Sequence, residues 1–409
     1  MRPPSRLLGP SLIILLIVAG PCGAEKINAL IVGHAAIMQV MRMFFDNEPL
    51  ITYQPVITRG LETVDAMKKQ IRLYYPRTYE EMKKYDAILL TSPEYYLLTN
   101  TQDRWIRDAI REGAGGINDG SLFSIVTDIN TAWAASLAQH AFPNDVDAVL
   151  SQQWRVTNSF NIFIDKQARY PILTPFVPYD VEKVSAYSAH GLVVAREAAE
   201  TLAWQTGFPG KGRVGYIVAW EYGDGRSITT GDFLGNGWLG YPSFGGSGNQ
   251  YSPDILMNMI LWITHRGLIT RDTVDIFHSL KGVITEFVTR LSALISLRDF
   301  VDRFGANTEK IQDEILNLED LYNEGTKKYV DQQDFSGAYS DLKKGLEEFS
   351  NAEAVAQKVK DRALLWIYII EWLITTSALF ISGFILWTLM VRRRLYREVE
   401  VTKLTHENQ

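Results

Sequence analysis

The sequence has 409 residues and almost no cysteine, with Cys22 as the single example. Cys22 lies within an N-terminal segment that has the three parts of a secretory signal peptide. In chain order these parts are the basic residues Arg2 and Arg6, an apolar stretch from Leu12 to Ala19, and small residues from Gly20 to Ala24. We therefore expect residues 1–24 to be a removed signal peptide. The remaining chain would have no disulfide, no thiolate metal ligand and no cysteine nucleophile.

Signals for metals and nucleic acids are also scarce. The six histidines include no His-x-x-x-His or Glu-x-x-His spacing, so we predict no zinc site. We predict no organic cofactor either. The formal net charge is -6, and an acidic chain is a poor match for a phosphate backbone, which argues against a nucleic-acid partner.

Proline is absent beyond Arg266-Gly267, where helical periodicity replaces the strand-like runs and glycine clusters of the preceding sequence. This change in composition predicts a domain boundary. The predicted organisation is an α/β domain at 25–267, a helical membrane-proximal stalk at 268–362, a transmembrane helix at 363–391 and a basic tail at 392–409.

The predicted transmembrane helix contains twenty consecutive residues without a charged side chain, from Trp372 to Val391. As a helix this run would be about 30 Å long, which matches the hydrocarbon core of a bilayer. Arg392, Arg393 and Arg394 follow at once, and basic residues beside a span favour the cytoplasmic side. We predict a single-pass protein of the cell membrane, with an extracellular N-terminal domain and a cytoplasmic tail.

Apolar strand-like runs alternate with helical spacings in the α/β domain. The strand-like runs are Ile27 to Val32, Val56-Ile57 and Ala87 to Leu90, and the helical segments are Ala35 to Phe45, Leu61 to Leu73 and Thr101 to Glu112. Strands that are apolar throughout are typical of a parallel sheet covered by helices on both faces. We predict the α/β class, with a flavodoxin-like, doubly wound and mainly parallel sheet.

Several of these segments carry a family resemblance over about residues 27–265. They are Tyr85 to Leu90, Leu98 to Gln102, Ile110 to Gly116, Gly215 to Val218, Gly231-Asp232, Trp238, Asn258 and Trp262. Together they resemble the class I glutamine amidotransferase-like superfamily, and in particular its putative amidotransferase and trehalose-utilisation-type branches. The resemblance implies a strand, a helix that begins near Leu98-Thr99, and a glycine-rich return to the next strand.

The chain departs from that family at the nucleophile. Glutaminases of this fold use a cysteine at a tight strand-to-helix turn, because a thiolate must attack the amide carbon. The comparable turn here is predicted at Asn118 to Ser121, without a cysteine, so we expect no glutaminase activity and no ammonia-channelling partner. Ser121 could replace the cysteine, but Leu122-Phe123 do not provide the small residues of a nucleophile elbow, and a polar turn residue is the alternative.

Candidate ligand-binding residues follow the predicted strands. Open α/β sheets bind ligands beyond the carboxyl ends of their strands, where the strand order reverses. The residues in such positions are His34, Ser92, Glu94, Tyr95, Asp119 and Ser121. His34 and Glu94 are the acid–base candidates among them, and entry into the following helix is the alternative role for His34.

Two further segments suit ligand contact. His190 follows a proline-rich stretch that predicts an excursion over the domain, and such a loop could bring His190 to the ligand, although a structural role is the alternative. Gly231 to Gly248 places aromatic residues between glycines, which suits stacking on a sugar, although the family resemblance already predicts loops there.

A turn is predicted over Glu221 to Arg226, after a strand at Val214 to Trp220, and Arg226 could pair with Glu221.

The stalk has the periodicity of amphipathic helices. Apolar residues recur at steps of three and four from Leu280 to Ile295, and a second helix is predicted from Thr308 to Tyr329. A third begins near Phe335 with the spacing of a coiled-coil seam and can continue into the bilayer. An antiparallel bundle that serves as a stalk and a signal-transmitting device are both compatible with this pattern.

The predicted function is a membrane-anchored extracellular protein that binds a small molecule, a carbohydrate or a protein partner. The alternative is an extracellular hydrolase that uses His34, Glu94 or His190 without a cysteine. A third possibility is a membrane protein partner bound through the stalk.

Overall fold

The computed structural model describes residues 26–119, 129–147, 162–179, 181, 193–206, 212–231 and 249–406. The predicted signal peptide, Ser121 and His190 lie outside these ranges. The described residues form two compact units. The first comprises the residues up to Lys281 together with Thr326–Ala338, and the second comprises Gly282–Gly325 together with the residues from Tyr339 onward.

The first unit contains a sheet of eight strands among the described residues. In chain order these are β1 (Ile27–His34), β2 (Ile51–Arg59), β3 (Ala87–Thr91), β4 (Gly115–Asn118), β5 (Ile162–Ile164), β6 (Glu200–Gln205), β7 (Val214–Tyr222) and β8 (Gly225–Thr230). Across the sheet the order is β2-β1-β3-β4-β8-β7-β6-β5. The sheet is mixed and mostly parallel.

The parallel part consists of β2, β1, β3, β4 and β8. Every residue of β3 and of β4 is buried, as expected for strands that are covered on both faces. The α/β class and the mainly parallel sheet, predicted from continuous apolar runs, are confirmed.

The other part of the sheet is antiparallel, from β8 through β7 and β6 to β5. β7 and β8 form a hairpin that turns at Gly223 and Asp224, and Gly223 has a φ of 64°, which glycine adopts without a steric penalty. The predicted turn lies here, and Nε of Arg226 is 3.6 Å from Oε1 of Glu221, the predicted partner. The pairing of β5 with β6 was not predicted, because it joins segments that are distant in sequence.

Nine α-helices lie among the described residues. They are α1 (Ala35–Phe45), α2 (Val64–Tyr74), α3 (Tyr79–Met82), α4 (Asn100–Arg111), α5 (Ile129–Ala134), α6 (Ser252–Ile263), α7 (Val274–Asp302), α8 (Glu309–Gln332) and α9 (Phe335–His406). Short 3-10 helices occur at Tyr95–Leu97, Ala138–Ala141 and Thr174–Tyr179. The helices predicted near α1, α2 and α4 agree with these bounds to within three residues.

Helices cover both faces of the sheet. A Cβ atom on Gly116 would lie 2.8 Å from Cδ1 of Ile110 in α4, whereas one on Gly115 would lie 2.6 Å from the side chain of Ile263 in α6. Neighbouring residues of a strand face opposite sides of a sheet, so α4 and α6 pack on opposite faces. The two glycines allow both helices to approach the sheet closely.

A buried charge network joins α7 and α8 to the segment after α1, within the first unit. The side chain of Glu48 is fully buried and contacts the ammonium group of Lys281 in α7. Its Oε1 also accepts hydrogen bonds from Oη of Tyr329 in α8 at 2.8 Å and from the backbone N–H of Leu50 at 3.1 Å. The carboxylate therefore has three partners in place of water.

In the second unit, α7, α8 and α9 pack around Phe287. The centroid of its ring lies 4.8 Å from that of Phe349 and 5.4 Å from that of Tyr322. Arg290 and Glu353 connect α7 to α9 through an Nη2–Oε1 distance of 2.8 Å. These contacts involve the helical segments that the periodicity predicted.

The later part of α9 exposes large apolar side chains. Trp372, Leu379 and Phe380 are 76%, 69% and 75% exposed. Within the described ranges, α9 is the one helix that is long and apolar enough to cross a membrane.

Candidate functional site

The parallel strands bring their carboxyl ends to one edge of the sheet. β1 lies between β2 and β3, so the chain continues from β1 to one side and later returns to the other. This reversal of strand order is where open α/β sheets bind ligands. We refer to His34, Arg59, Ser92, Glu94 and Asp119 as the switch-point edge.

His34 ends β1 and caps α1. Its Nδ1 accepts a hydrogen bond from the backbone N–H of Ala36 at 3.1 Å, so the neutral ring carries its proton on Nε2. Burial, followed by the positive charge of Arg59, lowers the pKa of His34. A Cβ atom on Gly60 would lie 2.7 Å from Cε1 of His34, so the ring occupies space that only glycine leaves open. At neutral pH His34 is therefore an uncharged group with an Nε2–H donor.

Arg59 connects the ends of β2 and β3. Its Nη1 donates to Oγ of Ser92 at 2.8 Å, and its Nε lies 3.1 Å from Oε1 of Glu94. The side chains of Arg59 and Glu94 are 30% and 14% exposed, so this pair is largely shielded from solvent. The backbone N–H of Glu94 donates to Oγ1 of Thr58 at 3.2 Å. The ion pair and the two hydrogen bonds fix the two strand ends relative to each other.

Ser92 follows β3 in a left-handed conformation with a φ of 55°. Residues other than glycine rarely adopt this conformation, and the strain is typical of functional turns. The backbone N–H of Ser92 donates to Oδ1 of Asp119 at 3.0 Å, and Asp119 is fully buried. The backbone N–H of Asp119 in turn donates to the carbonyl oxygen of Leu90 at 3.0 Å. Asp119 therefore holds the strained turn in place.

Tyr95 lies in the core rather than on the open edge. It is 5% exposed, and its ring centroid is 4.8 Å from that of Trp133. Burial raises the pKa of Tyr95 well above its ordinary value, so the phenol is uncharged. Its hydroxyl group has no hydrogen-bond partner among the described residues.

Two further buried polar side chains lie at the ends of β4 and β8. Asn118 and Thr229 are fully buried neighbours in the parallel register of these strands. Neither the amide group of Asn118 nor Oγ1 of Thr229 has a hydrogen-bond partner in the described part of the chain. Buried polar groups are normally paired, so this arrangement is unusual.

The structure thus brings together four of the predicted candidates, His34, Ser92, Glu94 and Asp119, at adjacent strand ends. Ser121 and His190 lie outside the described residues, as does most of the glycine-rich stretch after Gly231. Arg59 was missed because the second strand was predicted only around Val56-Ile57. A polar residue at the end of a strand was the available signal. Asn118 was considered only as part of a turn.

The chemistry of the switch-point edge is that of a preorganised binding surface. Arg59 is the cation, Glu94 and Asp119 are carboxylates, and His34 is neutral near pH 7. Glu94 is paired with Arg59 and Asp119 holds the Ser92 turn, so both carboxylates have structural roles. Within the described ranges, no group of three or more His, Cys, Asp and Glu side chains is arranged to hold a metal ion.

Comparisons with known proteins give no family assignment. No protein-family model matches the sequence, and no curated protein sequence matches it. Among solved structures, similarity is found to the cytoplasmic protein STM1381 from Salmonella typhimurium LT2, with 14% identity and a TM-score of 0.41 over 58% of this chain and 99% of that one. The cytoplasmic protein STM3548 from Salmonella typhimurium matches with 10% identity and a TM-score of 0.37 over 58% of this chain and 98% of that one.

Proposed function

We propose that the protein is a membrane-anchored receptor-like binding protein, which recognises a small molecule or carbohydrate at the switch-point edge. The observation that carries this proposal is the pair of contacts made by Arg59, a hydrogen bond to Ser92 and an ion pair with Glu94. These contacts hold polar groups from the ends of two strands, beside the neutral His34, at the position where sheets of this type bind ligands. A site whose polar groups are fixed in advance loses little entropy on binding.

Binding is favoured over the alternative of hydrolysis. A general base must be able to accept a proton, but Glu94 is already paired with the charge of Arg59, and Nδ1 of His34 already accepts a hydrogen bond from the backbone N–H of Ala36. The strained turn at Ser92 is the feature that favours a nucleophile. However, Ser92 is 2% exposed and its Oγ accepts a hydrogen bond from Arg59, which makes it a poor nucleophile in this arrangement.

The same proposal treats the first unit as a flavodoxin-like, amidotransferase-like domain without the catalytic cysteine. The parallel order β2-β1-β3-β4 and the helices on both faces support it. The antiparallel strands β5 and β6 lie within the range of the resemblance, in segments that none of its motifs cover.

The proposal also places α9 across a bilayer, with the first unit outside the cell. Leaving residues such as Trp372 and Phe380 in water would be unfavourable, whereas hydrocarbon provides them with an apolar environment. The three arginines after Val391 would then hold the C-terminal end in the cytoplasm.

A ligand screen on the full-length chain in detergent micelles tests the binding proposal. A compound present at about 100 times its Kd stabilises the folded state by about 2.7 kcal/mol, which a melting curve detects. We expect at least one neutral metabolite or sugar to raise the Tm of the wild-type chain. Arg59→Ala should abolish that rise.

Arg72→Ala is the matched control, because Arg72 is an exposed arginine on α2 away from the edge. It should leave the ligand-induced rise unchanged. A rise that survives Arg59→Ala would contradict binding at the switch-point edge. Turnover of any ester, amide or glycoside that requires His34 would favour the hydrolase instead.

A further inference from the structure

Three uncharged polar side chains lack partners among the described residues on one face of the sheet, near the carboxyl ends of β3, β4 and β8. Asn118 is paired in register with Leu90 on one side and with Thr229 on the other, so the side chains of Leu90, Asn118 and Thr229 share a face. Tyr95 follows β3 and packs in the same core cluster as Leu90 and Trp133. The hydroxyl groups of Tyr95 and Thr229 and the whole amide group of Asn118 have no hydrogen-bond partner in the described ranges.

Three buried polar groups without partners among the described residues lower the free energy of unfolding. A buried donor or acceptor without a partner loses its hydrogen bonds to water and gains none in return. Phenylalanine, leucine or valine would fill similar space in these positions without that loss. The chain instead places three polar groups, unpaired within the described ranges, against an apolar cluster. Buried groups of this kind are positions where another molecule can complete the hydrogen bonds.

The charges of the neighbouring residues restrict what that molecule can be. Arg59 is already paired with Glu94, and Asp119 adds a buried carboxylate, so the described residues of the switch-point edge offer an anion no free positive charge. Tyr95, Asn118 and Thr229 each both donate and accept hydrogen bonds. A hydroxyl group does the same and therefore matches them without a change in charge.

We propose that Tyr95, Asn118 and Thr229 bind the hydroxyl groups of an uncharged polyhydroxy compound. This inference rests on the proposed binding function and specifies its ligand class. The ring of Trp133, packed against Tyr95, provides an apolar surface beside the hydroxyl-binding groups. Aromatic rings next to hydrogen-bonding groups suit molecules that have both apolar carbon–hydrogen faces and hydroxyl edges.

Saturation-transfer NMR on the full-length chain in detergent micelles tests the proposal with three probes of similar size. Glycerol is uncharged, glycerate is an anion and serinol is a cation. We expect a signal from glycerol and none from glycerate or serinol. In Asn118→Leu the loss of one good hydrogen-bonding partner should weaken the glycerol signal about tenfold, and Thr229→Val and Tyr95→Phe should weaken it in the same direction.

Tyr75→Phe is the control. Tyr75 is buried in the same cluster, but its hydroxyl group donates to the carbonyl oxygen of Gln102 at 3.0 Å. This variant should keep the glycerol signal and melt at a lower temperature than the wild type. Tyr95→Phe and Thr229→Val should melt at the same or a higher temperature in the absence of any probe, because they remove unpaired groups.

Several results would overturn the inference. One is a glycerol signal that none of the three variants reduces, and another is a fall in the melting temperature of Tyr95→Phe equal to that of Tyr75→Phe. A glycerate signal that Arg59→Ala abolishes would reject the uncharged ligand but keep binding at the switch-point edge. The absence of any probe signal that depends on Asn118 would reject this inference, whereas the ligand screen with Arg59→Ala decides the proposed binding function separately.

Discussion

His34 combines two roles that depend on different nitrogen atoms. Nδ1 accepts from the first turn of α1, which fixes the orientation of the ring, and Nε2 remains a donor at the switch-point edge. Arg59 affects the same residue electrostatically, because its positive charge disfavours the protonated ring. A single arginine thus positions Glu94 and Ser92 and adds to the effect of burial, which is the larger cause of the lowered pKa of His34.

The first prediction concerns the titration of His34. We expect its pKa to lie below the ordinary 6.5 in the wild-type chain and to rise in Arg59→Ala, because the repulsive charge is removed. The unfolded chain then takes up this proton before the folded chain does, so the contribution of His34 to stability is lost as the pH falls below about 6.5. NMR titration of the His34 ring measures the pKa directly. The same pKa in Arg59→Ala and in the control Arg72→Ala would contradict the electrostatic cause.

The second prediction compares two glycines. A Cβ atom on Gly33 would lie 1.9 Å from the carbonyl oxygen of Thr91, which is a backbone atom that cannot move without separating β1 from β3. Gly33→Ala should therefore lower the free energy of unfolding by about 1–3 kcal/mol. Gly282 lies in α7, and a Cβ atom there would have open space within 4 Å, so Gly282→Ala should raise it by about 0.5–1 kcal/mol. Denaturant unfolding of both variants checks the opposite signs, and a shared sign would be inconsistent with these contacts.

Part of the site at the residue scale was predictable from the sequence. His34, Glu94 and Asp119 could be placed because each follows an apolar strand, and the ends of parallel strands meet at one edge. Arg59 required the correct end of β2, which the partly polar and partly exposed sequence of this strand does not reveal. The unpaired state of Asn118 among the described residues depends on which strand lies beside it, and that pairing is a property of the tertiary structure.

At the scale of elements, the first unit depends on Glu48 to hold parts of α7 and α8. Its carboxylate is bonded to Lys281 and Tyr329 in an environment that excludes water. Burial raises the pKa of Tyr329 well above its ordinary value, so the phenol remains a donor to Glu48. The pair Glu48 and Lys281 is largely shielded, which makes the loss of either partner costly.

The third prediction tests this pair. Lys281→Met should lower the free energy of unfolding by about 3–5 kcal/mol, because it leaves a buried carboxylate without its cation. The double variant Glu48→Gln with Lys281→Met removes both charges, keeps a carbonyl oxygen that can accept from Tyr329 and Leu50, and should recover a large part of that loss. Denaturant unfolding of the two variants provides the comparison. A double variant less stable than Lys281→Met would show that the charge is not the cause.

The helices were more predictable than the sheet order. The spacing of apolar residues predicted α1, α2, α4 and the three long helices α7, α8 and α9, because helical periodicity is local. The same reasoning gave the apolar strands of the parallel part. The antiparallel strands β5 and β6 were not assigned, because their pairing depends on contacts across long stretches of sequence.

At the scale of the whole molecule, the proposed arrangement joins a binding unit to a helix that crosses a bilayer. The proposed arrangement rests on the sequence, because a long uncharged run followed by arginines is typical of a membrane span. The sequence could not identify the ligand, because binding depends on side chains from separate strands.

The most direct measurement of the proposed topology is cysteine labelling in intact cells. The chain offers a simple background, because Cys22→Ser removes its only cysteine. Lys344→Cys and Arg397→Cys then introduce single thiols at exposed positions of α9 before and after the apolar run. A membrane-impermeant maleimide should label the thiol at position 344 in intact cells and the thiol at position 397 only after permeabilisation. Labelling at 397 but not at 344 in intact cells, or labelling of neither until the cells are opened, would contradict an external binding unit.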